Sequence, residues 1–255
     1  MEQIQDCKNY PVVKSNKLIE AKYKLTLNEI RLVYVVISKI KPEDEEFKRH
    51  SLKIQDLLKM FEITTNDYHL SIKKILEDLS HKSITIADKS EKNRFLVANW
   101  FASAEYIGKE GIVEIELSTK LKPYLLQLQS HFTIFGLDKI LKLKSSYAIR
   151  LYELLYKEYC YYVKNRINFI FSIKELKAML GIEKNEYLKF NNFKRKVLDI
   201  AEKELKAKSD FYFEYKTIKT GRAITDIEFI VIEKEKREDN KQKQLTQDRS
   251  PSQTP

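Results

Sequence analysis

Glycine and proline are scarce in this chain, five of each in 255 residues, and it holds only two cysteines, four histidines and one tryptophan. Each shortage excludes something. Cys7 and Cys160 are far apart, without Cys-x-x-Cys spacing, and give no disulfide; Cys7 reads as a loop thiol and Cys160 as a helix-packing residue. His50, His69, His81 and His131 are scattered, with no His-x-His pair and no carboxylate at metal spacing, so no metal site is expected. That counts against an origin-nicking enzyme of the rolling-circle type, which needs a metal-held phosphate beside a nucleophilic tyrosine. The fifteen tyrosines do not supply one, because Tyr152, Tyr156, Tyr159, Tyr161 and Tyr162 follow apolar neighbours and read as packing residues. None of the glycines forms the Walker spacing, so no cofactor is expected and any ATP-driven work falls to a partner. No apolar run approaches the roughly 18 residues of a membrane span. The polar start Met1-Glu2-Gln3-Ile4-Gln5-Asp6 lacks the order of a signal peptide, so a cytoplasmic protein is expected, with no membrane partner.

What is abundant is charge. Lys plus Arg number 47 against 37 for Asp plus Glu, a formal net charge of +10 with a pI near 9.2. This balance favours a polyanionic partner and is equally compatible with a merely Lys-rich soluble protein. The most informative pattern is a repeat. Arg31 and Leu32 return as Arg150 and Leu151. Leu52, Ile54, Leu57, Met60, Ile63 and Tyr68 return as Phe171, Ile173, Leu176, Met179, Ile182 and Tyr187, all at one offset. After a slip of three residues, Lys73-Lys74-Ile75-Leu76 returns as Arg195-Lys196-Val197-Leu198. The period far exceeds the roughly 20–50 residues of solenoid repeats, so the copies are whole small domains. The length suits two domains, each with a core of its own.

In the first copy Thr26 and Glu29 form a capping box, Ile30, Val33, Val36, Ile37 and Ile40 fall at helical spacing, and Lys41-Pro42 stops the helix. Ser51 is placed to cap a short helix carrying Ile54, Leu57 and Leu58. A turn at 64–67 and a helix with Ile72, Ile75, Leu76 and Leu79 complete a helix-turn-helix. Segments 83–87, 95–106 and 112–117 alternate like strands, with Gly108 and Gly111 in the last turn. In the second copy Ala148, Leu151, Tyr152, Leu155 and Tyr159 mark a helix. Phe169-Ile170-Phe171 is a short strand, Ser172 a cap and Gly181 a helix stop. On the next helix Phe193, Val197, Ile200, Ala201 and Glu204 share one side, while Asn192, Arg195, Lys196, Asp199 and Lys203 share the other. Strands 211–218 and 225–232 are joined through Lys219-Thr220-Gly221-Arg222. Helix, helix-turn-helix, hairpin is winged-helix order. The expected fold is α+β, two tandem winged-helix domains related by a pseudo-two-fold internal repeat. The expected boundaries are an N-terminal extension over 1–15, domain 1 over 16–130, domain 2 over 131–234 and a disordered tail over 235–255.

Several phrases resemble a known family. They are Asn16-Lys17-Leu18-Ile19-Glu20-Ala21, Leu25-Thr26 with Glu29-Ile30-Arg31, Pro123-Tyr124-Leu125-Leu126, the run from Leu143 to Leu155 around Arg150, and Lys219-Thr220-Gly221-Arg222 with Thr225-Asp226-Ile227-Glu228-Phe229. From Tyr10 to Glu233 the chain resembles the theta-type plasmid replication initiators of the Rep_3 (initiator RepB) family. The resemblance implies a double-stranded DNA-binding protein that binds repeated origin sequences called iterons as a monomer. It implies host partners, an initiator ATPase with which the origin is opened and the replicative helicase that is recruited there. It also implies a homodimer that represses its own promoter at an operator, with plasmid copy-number control as the consequence. In such proteins the second domain is the main iteron-binding domain, and the first serves dimerisation and auxiliary DNA contact.

A recognition helix fits the major groove, and two such modules on one face of a duplex would meet successive grooves about 34 Å apart. The candidate DNA-contacting residues are Asn192, Lys194, Arg195, Lys196 and Lys203 on the second recognition helix. Lys216, Lys219 and Arg222 on the second wing and Ser71, Lys73 and Lys74 on the first-domain helix complete the set. Arg195 is the best guanine reader, because its fork engages O6 and N7 together. Lys194 suits a phosphate. The plain alternative is a solvated helix face partly neutralised by Asp199 and Glu202. Trp100 reads as core or as part of a dimer face, and Val97, Trp100, Phe101, Ile112, Val113 and Ile115 offer an apolar sheet that could pair with its twin. The expected function is non-enzymatic replication initiation; a dedicated winged-helix transcriptional repressor is the alternative, with an origin nickase behind it. Direct repeats beside the gene would separate the first two, and a supercoil-nicking assay the third.

Overall fold

The repeat seen in the sequence is a repeat of topology. The computed structural model describes residues 11–234 apart from 65, 89, 90, 92 and 163–165. Cys7 and the tail from 235 onward, expected to lack a core, lie outside the described residues. The first copy runs β1 (Pro11–Ser15), α1 (Asn16–Ile19), α2 (Leu27–Ile37), β2 (His50–Lys53), α3 (Ile54–Phe61), α4 (Tyr68–Ser80), β3 (Ser83–Ala87), β4 (Phe95–Asn99), β5 (Phe101–Ile107), β6 (Ile112–Leu117) and α5 (Lys122–Leu125). The second runs β7 (Phe132–Gly136), α6 (Leu137–Lys142), α7 (Ser146–Tyr162), β8 (Arg166–Ser172), α8 (Ile173–Met179), α9 (Phe190–Phe193), α10 (Asp199–Lys208), β9 (Phe211–Thr220) and β10 (Ala223–Glu233). Each copy builds an antiparallel three-stranded sheet in the same order, β2-β6-β5 and β8-β10-β9. The strand before the helix-turn-helix pairs with the last strand, whose other edge takes the middle one.

Local signals set some of the helix ends. The Glu29 carboxylate accepts the Thr26 N–H at 2.7 Å and also receives Lys82, as the capping residues predict. Ser172 Oγ accepts the Glu175 N–H, starting α8, and Gly181 follows its end at φ +67°. Other expectations give way. Ser51 is not a cap: it lies within β2, its hydroxyl bonded to Glu114, and Lys53 stands at the start of α3. The helix read as stopping at Lys41-Pro42 ends at Ile37. Segment 95–106 is two strands in different sheets, because the chain turns at Trp100, whose buried ring makes an edge contact with Tyr23. Trp100, Phe101, Ile112, Val113 and Ile115 are all buried in the core of the molecule and cannot form a dimer surface. Val97 alone of that set is exposed. Cys160, expected to pack, is exposed. Tyr152 is buried and stacks with Tyr156 and Phe211, as a packing residue should; the side chains of Tyr161 and Tyr162 lie outside the described residues.

The two copies share one continuous core. Residues 29–37 of α2 and 148–155 of α7 are buried on all sides, the pattern of helices enclosed by protein. At roughly 1.5–3 kcal/mol for each buried large apolar side chain, their leucines, isoleucines and valines are a principal source of stability. Between the copies β1 pairs antiparallel with β7, Pro11 opposite Gly136 and Ser15 opposite Phe132. Residues 11–15 thus belong to the junction between the copies. Facing inward from β1, Lys14 is fully buried and meets Glu153 of α7 together with the Tyr23 and Tyr34 hydroxyls.

Candidate nucleic-acid interface

In the second copy the helix-turn-helix is α8, the loop through Tyr187, and the run from α9 to α10. This last run is not a uniform α-helix. Residues Lys194–Leu198 form a π-helical turn, closed by the Asp199 N–H donating to the Lys194 carbonyl. The wider turn rotates the helix beyond it. Phe193, Val197, Leu198, Ala201 and Leu205 are buried, whereas Ile200, expected on the inner side, is 39% exposed. Glu204, also expected inside, is partly exposed and accepts the Lys144 N–H at 2.6 Å.

The wide turn carries the basic cluster. Arg195 and Lys196 are exposed, as are Asn192 before the turn and Lys203 beyond it. Lys194 differs from its neighbours: its ammonium donates to both Asp199 oxygens at 2.7 and 2.9 Å, and Asp199 also takes the Tyr215 hydroxyl. The Asp199 hydrogen bond holds the Lys194 ammonium above its ordinary pKa. Arg195 and Lys196 therefore present the charge of this face, with Lys194 already partly compensated.

The wing is the β9–β10 hairpin. Its tip, Gly221-Arg222, links the paired residues Thr220 and Ala223, with Gly221 at φ +62° and open space where a Cβ would stand. Lys216, Lys219 and Arg222 are all exposed on it. Thr225 interrupts the register as a bulge, its hydroxyl 3.0 Å from that of Thr220, which fixes the approach to the tip. In the first copy Ser71, Lys73 and Lys74 lie on α4. Both lysines are exposed, and Lys73 is 3.6 Å from Glu77, a loose surface pair. The first recognition helix is thus less basic than the second. Nothing in this set is a buried nucleophile or a paired carboxylate; it is an array of solvated donors suited to phosphates and base edges.

Two family models match the chain, the first winged helix of initiator replication proteins over residues 11–156 and the second over residues 172–231. The chain belongs to the initiator replication protein family. Its members are DNA-binding replication initiators. Among relatives, an Escherichia coli replication initiation protein is 26% identical over 203 residues, which span 78% of this chain and 63% of that protein. The Escherichia coli PI protein is 32% identical over 166 residues, 59% of this chain and 53% of the relative. The matched parts thus span less than two thirds of these two relatives. A crystal structure of the Pi initiator protein in complex with iteron DNA superimposes with a TM-score of 0.71 at 24% identity, covering 90% of this chain and 99% of that one. This likeness carries the tandem winged-helix fold. Among the described residues no helix is long and apolar enough to cross a membrane.

The sequence pattern found the exposed basic residues because charge at helical spacing is a local signal. It missed the buried ions between the copies. Lys14 sits in an otherwise apolar strand, Val12-Val13-Lys14, and that interruption was the available clue.

Proposed function

We propose that this protein is a plasmid replication initiator that binds iteron repeats at the origin, helps open it and brings host replication proteins to it. The observation that carries this reading is family membership across both winged helices, joined to a basic face that is strongest on the second recognition helix. Domain 2, residues 131–234, is the main reader. Arg195 and Lys196 reach base edges, Asn192 and Lys203 flank them, and Lys216, Lys219 and Arg222 hold the backbone. Lys194 exchanges Asp199 for a phosphate. Domain 1, residues 16–130, adds contacts through Ser71, Lys73 and Lys74. A homodimer repressing the protein's own promoter is a second state; the exposed Phe95 and Val97 on β4 favour a pairing surface there, at 62% and 54% exposure. Host initiator ATPase and replicative helicase are the partners this role requires.

The test is binding of the protein to the direct repeats flanking its gene, against a scrambled duplex of equal length. Specific binding should exceed non-specific binding at least about 1000-fold at physiological salt. Equal affinity for both duplexes would overturn the reading.

A further inference from the structure

Arg31 and Arg150 occupy equivalent positions in the two copies, and both are buried, 1% and 3% exposed. Each donates to a carbonyl of its own copy 29 residues on: Arg31 Nη1 to Met60 and Arg150 Nη2 to Met179, both at 3.0 Å. Each then reaches into the other copy. Arg31 Nη2 donates to the carbonyls of Leu141 and Leu143, the segment leading into α7. Arg150 Nη2 donates to those of Ile19 and Ala21, the segment leading into α2. The two Nε atoms are both buried without a partner among the described residues, so the terminal nitrogens carry all the grips; Arg150 Nη1 adds the Tyr23 hydroxyl and the Glu153 carboxylate.

The flanking backbone repeats the exchange. Glu62 and Gly181 hold equivalent left-handed positions, φ 59° and 67°. Glu62 pairs with Lys144 of the second copy. Gly181 lies so close to the first that an added Cβ would overlap the Tyr23 carbonyl. A planar guanidinium gripping three carbonyls in fixed directions resists both sliding and rotation, which a single ammonium does not. Two such grips, one from each copy, add to the β1–β7 pairing in holding the winged helices together.

We propose that Arg31 and Arg150 form a reciprocal clamp between the two winged helices that sets the spacing at which the protein reads the two halves of its DNA site. The inference rests on the initiator reading and adds residues that touch no DNA. They are positioning residues, and their effect is on spacing. One inserted base pair moves a half-site by about 3.4 Å and turns it by about 35°, so a rigid pair of readers cannot follow it.

The experiment uses the full chain and a duplex of about 20 base pairs, the span of two adjacent half-sites, selected by the wild-type protein from a randomised pool. Derivatives carry one or two base pairs inserted at its centre, and a half-site duplex serves as control. Wild type should lose about 100-fold on a single insertion, the scale of losing one domain's specific contacts. Arg31→Lys and Arg150→Lys keep the charge and lose the fork. Both should bind the parent duplex more weakly, fall within about threefold between parent and inserted duplexes, and bind the half-site as wild type does. Calorimetry supplies an arm independent of DNA: one unfolding transition for wild type, two for a variant whose clamp is loosened. Should the wild type select no site, the initiator reading fails, while the calorimetric contrast still decides the clamp. Variants that keep the wild-type spacing preference, or that unfold in one transition as wild type does, would overturn the proposal. Collapse of both domains in both variants would overturn it too, because it would assign the arginines to the cores themselves.

Discussion

Removing the negative charge at the centre of the junction should be far more damaging than removing one of its positive charges. Glu153 is fully buried between Lys14 Nζ and Arg150 Nη1, both at 2.5 Å, and accepts the Tyr23 hydroxyl at 3.2 Å. The three ions carry one cation in excess. Glu153→Gln keeps the shape and leaves two buried cations facing each other without a counter-charge, at a cost of about 3–5 kcal/mol. Lys14→Met keeps the stem and leaves Glu153 and Arg150 as a balanced pair. Burial pushes the Lys14 ammonium down from 10.5 to about 8, against the attraction of Glu153. Holding that proton at pH 7 then costs about 3 kcal/mol, and Met removes the cost while losing the weaker contacts to Tyr23 and Tyr34. Lys14→Met should therefore be neutral or stabilising. The pH dependence gives a second check. Between pH 8 and about 10 the unfolded chain keeps the Lys14 proton while the folded chain releases it, so wild-type stability rises relative to Lys14→Met. Above about pH 10 the buried Tyr23 and Tyr34 hydroxyls, held protonated by desolvation, act in the opposite sense. Urea denaturation across this range measures both effects. A Lys14→Met variant as unstable as Glu153→Gln at pH 7, or a difference that does not change with pH, would refute the reasoning.

Arg195→Ala should cost about 1–3 kcal/mol on the specific site and relax one base position, read by fluorescence anisotropy on a set of single-substituted duplexes. Lys219→Ala and Arg222→Ala should weaken all sequences alike and flatten the salt dependence by about one unit each. Gly181→Ala must adopt a left-handed conformation and drive a Cβ into the Tyr23 carbonyl, so its melting temperature should fall well below that of Gly221→Ala, where space is open. A double change, Phe95→Glu with Val97→Lys, should leave the melting temperature unchanged; sedimentation of the variant as a monomer where wild type dimerises would place the pairing surface on β4.

Caps, turns and apolar spacing depend on neighbours a few residues away, and those features were legible from the sequence. The Thr26–Glu29 box, the Ser172 cap, the Gly181 stop, the Gly221 hairpin and the order of both helix-turn-helix units could all be read directly. The repeat made the strongest statement, because equivalent residues in two copies imply equivalent topology, and the two sheets do share one strand order. Exposure of Arg195, Lys196, Lys203, Lys219 and Arg222 follows from the same local logic. What the tertiary structure decided concerns pairs far apart in the chain. Periodicity reports which face of an element is apolar and not what covers it. Trp100 and its sheet could thus pass for a dimer surface, yet the fold buries them in the core, with the Trp100 ring edge-on to Tyr23. A single π-helical turn changed the facing of Ile200, since the extra residue rotates everything after it and leaves no mark in composition. Arg31 and Arg150 stood out by recurrence alone. Their work became visible only when folding brought carbonyls from 110 to 131 residues away to each guanidinium, and no spacing rule encodes a contact of that separation.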